Sequence, residues 1–372
     1  MNDDEIRRIL RQYYEMDMHY HTSKILGSMY TEIPKISLET FTLFHEANLG
    51  NPDLYPGTRE IEKKVVEFLL KLTSGRKDYH GRILSGGTEA NIVSLWAARE
   101  MGYKRILTTR DSHFSVLKAS KLLKLRINFI KSVEHRMDLR SLAENIRNGD
   151  IVVANAGSTQ FGFVDPIEEI GEICENYDCY LHVDAAFGGF VIPFLNEIYG
   201  KEIKFGFDVP GVRSVTIDPH KMGFAPYPAG GLVSRENIFQ SIEVPAPYLP
   251  SGKSDTLLGT RQSGSVAAAY ASILHFGWEG YKNVVRVCME NTHYLVYRAR
   301  EYGFDIPHEP ELNIVNIAVS QPNKIRDSLR KLGWAVSSSK EYGTLRIVVM
   351  PHVKKDVIDS FLNDLKKIVK RD

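Results

Sequence analysis

Short apolar runs alternate with helical stretches through the middle of this 372-residue chain, and that alternation restricts the fold more than any other feature. "RILTT" (105–109), "INFIKS" (127–132), "IVVANA" (151–156), "CYLHVDA" (179–185), "SVTID" (214–218) and "GGLVS" (230–234) read as short strands. Residues 88–101, 112–124, 138–147 and 166–177 read as helices lying between most of them. Strand and helix in turn make βαβ units, so the expected class is α/β: a mostly parallel sheet with helices on both faces. Ligands of such sheets sit beyond the carboxyl ends of the strands.

The two ends of the chain differ from this middle. Ile6, Ile9, Leu10, Tyr13 and Tyr14 form a helical stripe over residues 5–18. A long helix is expected after "YPGTRE", with Ile61, Val65, Phe68, Leu69 and Leu72 on one face. Near the C-terminus, "NIVNIAVS", a helix near 322–332, "TLRIVVM" and a helix from 353 describe a smaller α+β domain. The expected division is an N-terminal segment (1–50), a large domain (51–280) and a small C-terminal domain (281–372).

Charge and cysteine content narrow the function classes. A formal net charge of +1 gives no global electrostatic case for nucleic acid or an anionic membrane. No apolar run is long enough to span a bilayer. The charged start, "MNDDEIRRIL", lacks a signal-peptide pattern. Three cysteines are too few for a disulfide framework and fit a reducing cytoplasm, the expected location. His19 and His21, in "HYH", have no carboxylate or cysteine spaced with them, so no metal site is expected.

Three stretches carry chemistry. "ILSGGTEANIVSLWAARE" (83–100) turns at Ser85-Gly86-Gly87 and enters a helix at Thr88. Its glycines admit close approach, and the helix N-terminus favours a phosphate; a plain glycine turn capped by Thr88 explains that stretch equally well. "CYLHVDAAFGGF" leaves Asp184 at the carboxyl end of an apolar strand, where a carboxylate must be paired or hydrogen-bonded to stay ionised. "SVTIDPHKMGFAPYPAGGLV" (214–233) puts Lys221 just beyond the next strand. An ammonium taken out of water gives up its proton more readily and becomes an amine nucleophile toward an aldehyde. A phosphate cradle, a carboxylate and a poised lysine are the three things pyridoxal phosphate needs.

The chain resembles fold-type I pyridoxal-phosphate enzymes, and within them the group II amino acid decarboxylases, especially the archaeal tyrosine/aspartate decarboxylases. "SVTIDPHKMGFAPYPAGG", "SGGTEANI", "HVDAAFGGF", "NLGNPDLYPGTREIE" and "LRIVVMPHV" carry the likeness, which runs from about "KILGSMYT" to the C-terminal helix. The resemblance implies that Lys221 holds the cofactor, that Asp184 keeps its pyridine nitrogen protonated, and that Gly87 and Thr88 bind its phosphate with His220 nearby. It implies that His113, in "DSHFS", stacks on the ring, and that Thr159, in "NAGSTQFGFVDPI", lies near the ring oxygen. Arg346, in "TLRIVVM", matches an arginine that grips the substrate α-carboxylate. "GTRQSG" (259–264) resembles a segment reaching the neighbouring subunit's site, so Thr260 and Arg261 imply a homodimer with shared sites, with Thr260 a cofactor contact and Arg261 a second candidate for a substrate or phosphate contact.

The activity so implied is α-decarboxylation of a small amino acid: L-aspartate to β-alanine, a coenzyme A precursor, ahead of L-tyrosine to tyramine. An aspartate pocket needs a cation or several donors for its second carboxylate. Arg346 and Arg261 would provide these, with Lys35 or Ser37 as added donors, whereas Phe41, Phe44 or Phe187 would line a tyrosine slot. Relatives read Pro-His-Pro-like where this chain reads "EIPKIS", in the substrate-entrance region. Tyr248, in the loop 248–260, is a candidate proton donor. An aminotransferase, a lyase of phosphorylated amino alcohols and an enzyme acting on aminoacyl-tRNA are the alternatives.

Overall fold

In a computed structural model, which describes residues 1–51 and 53–370, the chain forms two units. The larger holds Ile33–Arg286 and Pro310–Leu312; the smaller holds Met1–Glu32, Val287–Glu309 and the chain from Asn313 onward.

Seven strands organise the larger unit: β1 (His80–Leu84), β2 (Arg105–Thr108), β3 (Arg126–Phe129), β4 (Asp150–Asn155), β5 (Tyr180–Asp184), β6 (Val212–Ile217) and β7 (Gly230–Ser234). Their order is β1-β7-β6-β5-β4-β2-β3. β7 runs antiparallel to both neighbours and every other pairing is parallel, so the sheet is the mostly parallel one that the alternation predicts. β1, "HGRIL", is a further strand that sequence pattern did not mark. It lies at the sheet edge, and Gly81 and Arg82 interrupt its apolar signal.

Of the helices, α1 (Asp3–Tyr14) belongs to the smaller unit, and α2 (Lys35–Leu43) and α3 (Pro56–Leu72) precede the sheet. α4 (Gly87–Glu100), α5 (Phe114–Leu123), α6 (Leu139–Asn145), α7 (Ile167–Asn176) and α8 (Ile192–Tyr199) connect its strands. α4 is buried on nearly every side from Glu89 to Leu95. Its small residues Ala90, Ala97 and Ala98 let it pack closely in a core shared with Ile106, Val116, Ile151, Val153 and Phe239.

α9 (Gly264–Glu301), broken at Gly277, carries the chain from one unit to the other. The smaller unit has a three-stranded antiparallel sheet of β8 (Ile314–Ala318), β9 (Ser337–Ser339) and β10 (Thr344–Val348), in the order β8-β10-β9. α10 (Pro322–Lys331) and α11 (Lys355–Val369) accompany it. The smaller unit takes up the chain again at Val287, and the first 32 residues join the C-terminal ones. Backbone bonds explain that grouping: Leu26 N–H donates to the Ala335 carbonyl at 2.8 Å, and Val348 N–H to the Leu26 carbonyl at 2.7 Å. Among the described residues, no helix is long and apolar enough to cross a membrane.

Candidate active site

One edge of the large sheet collects most of the residues singled out above. β1, β2, β4, β5 and β6 all end there, because β1, though paired antiparallel to β7, points the same way as β6. Gly86 and Gly87 follow β1, His113 follows β2, Thr159 follows β4, Asp184 ends β5, and Asp218, His220 and Lys221 follow β6.

Lys221 is not a bare ammonium in apolar surroundings. Its Nζ lies 3.3 Å from Oδ2 of Asp218, a carboxylate almost entirely out of solvent. His220 Nε2 is 3.5 Å from the same oxygen, and Ala229 N–H donates to His220 Nδ1 at 3.3 Å. Burial lowers the pKa of His220, which favours the neutral ring that accepts this bond. Asp218 stands three residues before Lys221, and its position in the sequence was visible while its role was not.

The glycine turn is tight on two sides. A Cβ on Gly87 would come 2.8 Å from Asp218 Oδ2, and one on Gly230 would meet the Gly86 backbone at 2.3 Å. Only glycine fits such approaches without a shift. Gly87 opens α4, whose first N–H groups have no intrahelical acceptor, and half-buried Thr88 follows it. Thr159 is half-buried in the loop beyond β4.

Asp184 is 7% exposed and held by two donors. Asn91 Nδ2 donates to its Oδ2 at 2.7 Å, and Ala186 N–H to its Oδ1 at 3.1 Å. Asn91 also donates to Ser115 Oγ at 2.8 Å, and that hydroxyl lies 2.9 Å from His113 Nδ1. His113 is the N-cap of α5, with Ser115 N–H 3.3 Å from the same nitrogen. Burial depresses its pKa, although the Asp184 charge acts in the opposite sense.

Arg261 is ion-paired with Glu62 in its own chain and donates to the Ile83 carbonyl at 2.6 Å, while Thr260 is exposed. Ser37 Oγ lies 2.7 Å from Ser272 Oγ, Lys35 is exposed 3.5 Å from Glu39, and Tyr248 is exposed. Phe187 is buried, whereas Phe41 and Phe44 are half-buried. In the smaller unit, Arg346 Nη2 donates to the Gly27 carbonyl at 2.7 Å and to Ser337 Oγ at 3.1 Å. His19 and His21 stack with ring centroids 5.4 Å apart.

Asn91, Ser115, His182 and Asp218 are the residues that sequence reasoning missed. His182 had a signal, because it precedes Asp184 by two on one strand and so shares its face. Asn91 sits one helical turn after Gly87, on the side of α4 that meets the sheet.

The donor set fits pyridoxal phosphate. It offers a primary amine, a firmly held carboxylate, a glycine cradle at a helix N-terminus, and a buried Asp218 Oδ1 that has no hydrogen-bond partner among the described residues. The fold and this set define the fold-type I class of pyridoxal-phosphate enzymes.

A model of the pyridoxal-dependent decarboxylase conserved domain matches residues 3–319, and the chain belongs to that family, whose members are carboxy-lyases using pyridoxal phosphate. It is 39% identical over 390 residues to a Methanococcus aeolicus protein named "Probable L-tyrosine/L-aspartate decarboxylase", covering 100% of both chains. It is 38% identical over 376 residues to a Pyrococcus abyssi protein named "Probable L-aspartate decarboxylase", covering 99% of this chain and 97% of that one. The solved sphingosine-1-phosphate lyase of Burkholderia pseudomallei superposes with a TM-score of 0.90 at 23% identity, covering 100% of this chain and 91% of the other, and so shares the fold.

Proposed function

We propose that this decarboxylase acts on L-aspartate, releasing the α-carboxylate as CO2 and leaving β-alanine, and that it works as a homodimer. One observation carries the substrate: L-aspartate is named for both relatives, L-tyrosine for only one.

When bound, pyridoxal phosphate supplies an electron sink for the pair left as the carbon–carboxylate bond breaks. The chain's own residues do the rest. Lys221 presents its amine beside Asp218, which serves as its counter-ion. Asp184, fixed by Asn91 and the Ala186 amide, presents its carboxyl group at the end of β5, where as a carboxylate it would stabilise a protonated ring nitrogen. Gly87, Thr88 and His220 would receive the phosphate, Thr159 and His113 would border the ring, and Arg346 is the residue to which the resemblance assigns the substrate carboxylate. Asp184 in its amide frame and Lys221 in its ion pair are orientations set before substrate arrives, which costs nothing at the moment of reaction.

The intrachain bonds of Arg261 to Glu62 and Ile83 fit a structural anchor better than a substrate contact, so its assignment to the substrate is not carried forward. The homodimer draws support from α1, which has no buried residue although Leu10, Tyr13 and Tyr14 lie on it. An apolar stripe of that kind calls for a partner surface.

The test is the ratio of kcat/KM for L-aspartate and L-tyrosine, with L-glutamate as a third substrate and light scattering on the same preparation. The expected result is preference for aspartate by at least about tenfold, a difference that one well-placed carboxylate contact supplies, in a particle of twice the chain mass. Preference for tyrosine would overturn the substrate assignment, and a monomeric active enzyme would overturn the dimer.

A further inference from the structure

Asn91 is buried with 0% exposure, and all of its hydrogen-bonding capacity is spent. Its two N–H groups go to Asp184 Oδ2 at 2.7 Å and Ser115 Oγ at 2.8 Å. Its Oδ1 accepts from Thr216 Oγ1 at 2.8 Å and from His182 Nε2 at 2.9 Å. Turning the amide over would set its oxygen against the Asp184 carboxylate, acceptor against acceptor, so one orientation is enforced.

The chain of donors then runs in a fixed direction. Ser115 Oγ, accepting from Asn91, has its own proton left for His113 Nδ1. The Ser115 backbone N–H faces the same nitrogen. His113 Nδ1 is therefore an acceptor, and the neutral ring carries its proton on Nε2. On the other side, His182 donates through Nε2, which leaves Nδ1 to accept from Ser214 Oγ at 2.8 Å or Ser94 Oγ at 3.0 Å.

We propose that Asn91 is a positioning residue of the decarboxylation, its amide binding the Asp184 carboxylate and the His113 ring into one hydrogen-bonded frame through Ser115. The inference rests on the reading that Asp184 and His113 flank the cofactor ring. It assigns Asn91 two tasks: supplying an N–H donor to the charged form of Asp184, and passing a fixed donor direction to His113. The ionisable groups around the frame are His113 and His182, with Lys118, Lys221 and Asp218 acting on His113. Asn91 itself does not titrate, so removing it alters the frame without deleting a charge.

The experiment compares wild type, Asn91→Ala, Ser115→Ala and Asp184→Asn as cofactor-loaded proteins. It reads the cofactor dissociation constant by absorbance titration, and the pH profile of kcat with aspartate. Loss of a donor to the charged carboxylate should move the acid limb of the Asn91→Ala profile up by about one pH unit and weaken cofactor binding about tenfold. Ser115→Ala leaves Asp184 its donor, so its acid limb should stay at the wild-type pH while kcat falls severalfold. A purely structural role would lower the melting temperature of Asn91→Ala but leave limb and affinity unmoved, and that result overturns the proposal. If Asn91→Ala does not fold, Thr216→Val carries the same test through the freed amide oxygen, with a smaller upward shift expected and no shift contradicting it. Asp184→Asn separates the two layers: wild-type activity there would defeat the underlying site reading. An inactive Asp184→Asn beside an unshifted Asn91→Ala defeats only the role given to Asn91.

Discussion

Behind Asp184, between α4 and the large sheet, the larger unit buries Asn91, Ser94, His182, Ser214 and Thr216, all at 0% exposure. The corresponding space against the small sheet is filled by Val315, Ile317, Leu345, Ile347, Trp334 and Phe361. Both interiors are closed to water, yet the first is held by oriented bonds and the second by volume. Apolar packing positions backbones and tolerates swaps that conserve volume. It cannot fix which oxygen of a carboxylate faces which donor. A satisfied polar network can, at the risk that any missing member leaves a buried group unpaired. The larger unit places that risk directly under the residues proposed to handle charge.

The largest expected stability effect lies in the apolar interior. Trp334 is 2% exposed, packs edge-on against Phe361 with ring centroids 5.5 Å apart, and donates to Asp364 at 3.1 Å. Trp334→Ala should cost about 3–5 kcal/mol in urea unfolding, with no change in how stability depends on pH between 7 and 4.5. A pH-dependent loss would break the contrast between the two interiors.

The next effect is smaller and has the opposite character. Burial pushes the pKa of His182 from its ordinary 6.5 down to about 4. The folded protein therefore refuses a proton that the unfolded chain accepts below about pH 6.5. The stability held by the neutral ring is complete above that pH and is lost as pH falls toward 4, by about 2–3 kcal/mol between pH 7 and 4.5. His182→Gln keeps a donor and an acceptor but does not titrate. Its unfolding free energy should fall less steeply over that interval, measured by urea denaturation at each pH. Parallel slopes for variant and wild type would mean that the ring is not held neutral.

The same contrast explains what sequence could reveal. Strand β7 was readable to the residue and the other central strands nearly so, because strands buried on both faces are short apolar runs with clear breaks. Lys221 and Asp184 stood out as charges at the ends of such runs. The alternation around Arg346 likewise marked the small sheet. By contrast, Asn91 and Ser94 are polar residues three apart on a helix, a pattern that ordinarily describes a solvated face. Only the near-complete burial of α4 turns that face inward. Ser115 and Ser214 gave no signal, because a serine hydroxyl suits a cap, a turn or a core network equally. Arg261 shows the converse limit: its motif suggested an outward contact, and the partner it has in this chain, Glu62, lies 199 residues away in the sequence, beyond the reach of any local pattern.

Lys221, set beside Asp218 at the carboxyl edge of the sheet, is the proposed point of cofactor attachment. Borohydride reduction of the cofactor-loaded protein, followed by digestion and peptide mass spectrometry, tests this most directly. The expected result is a stable cofactor adduct on the peptide containing Lys221, and none on any peptide of Lys221→Ala. An adduct on a different lysine of the wild-type chain would contradict it.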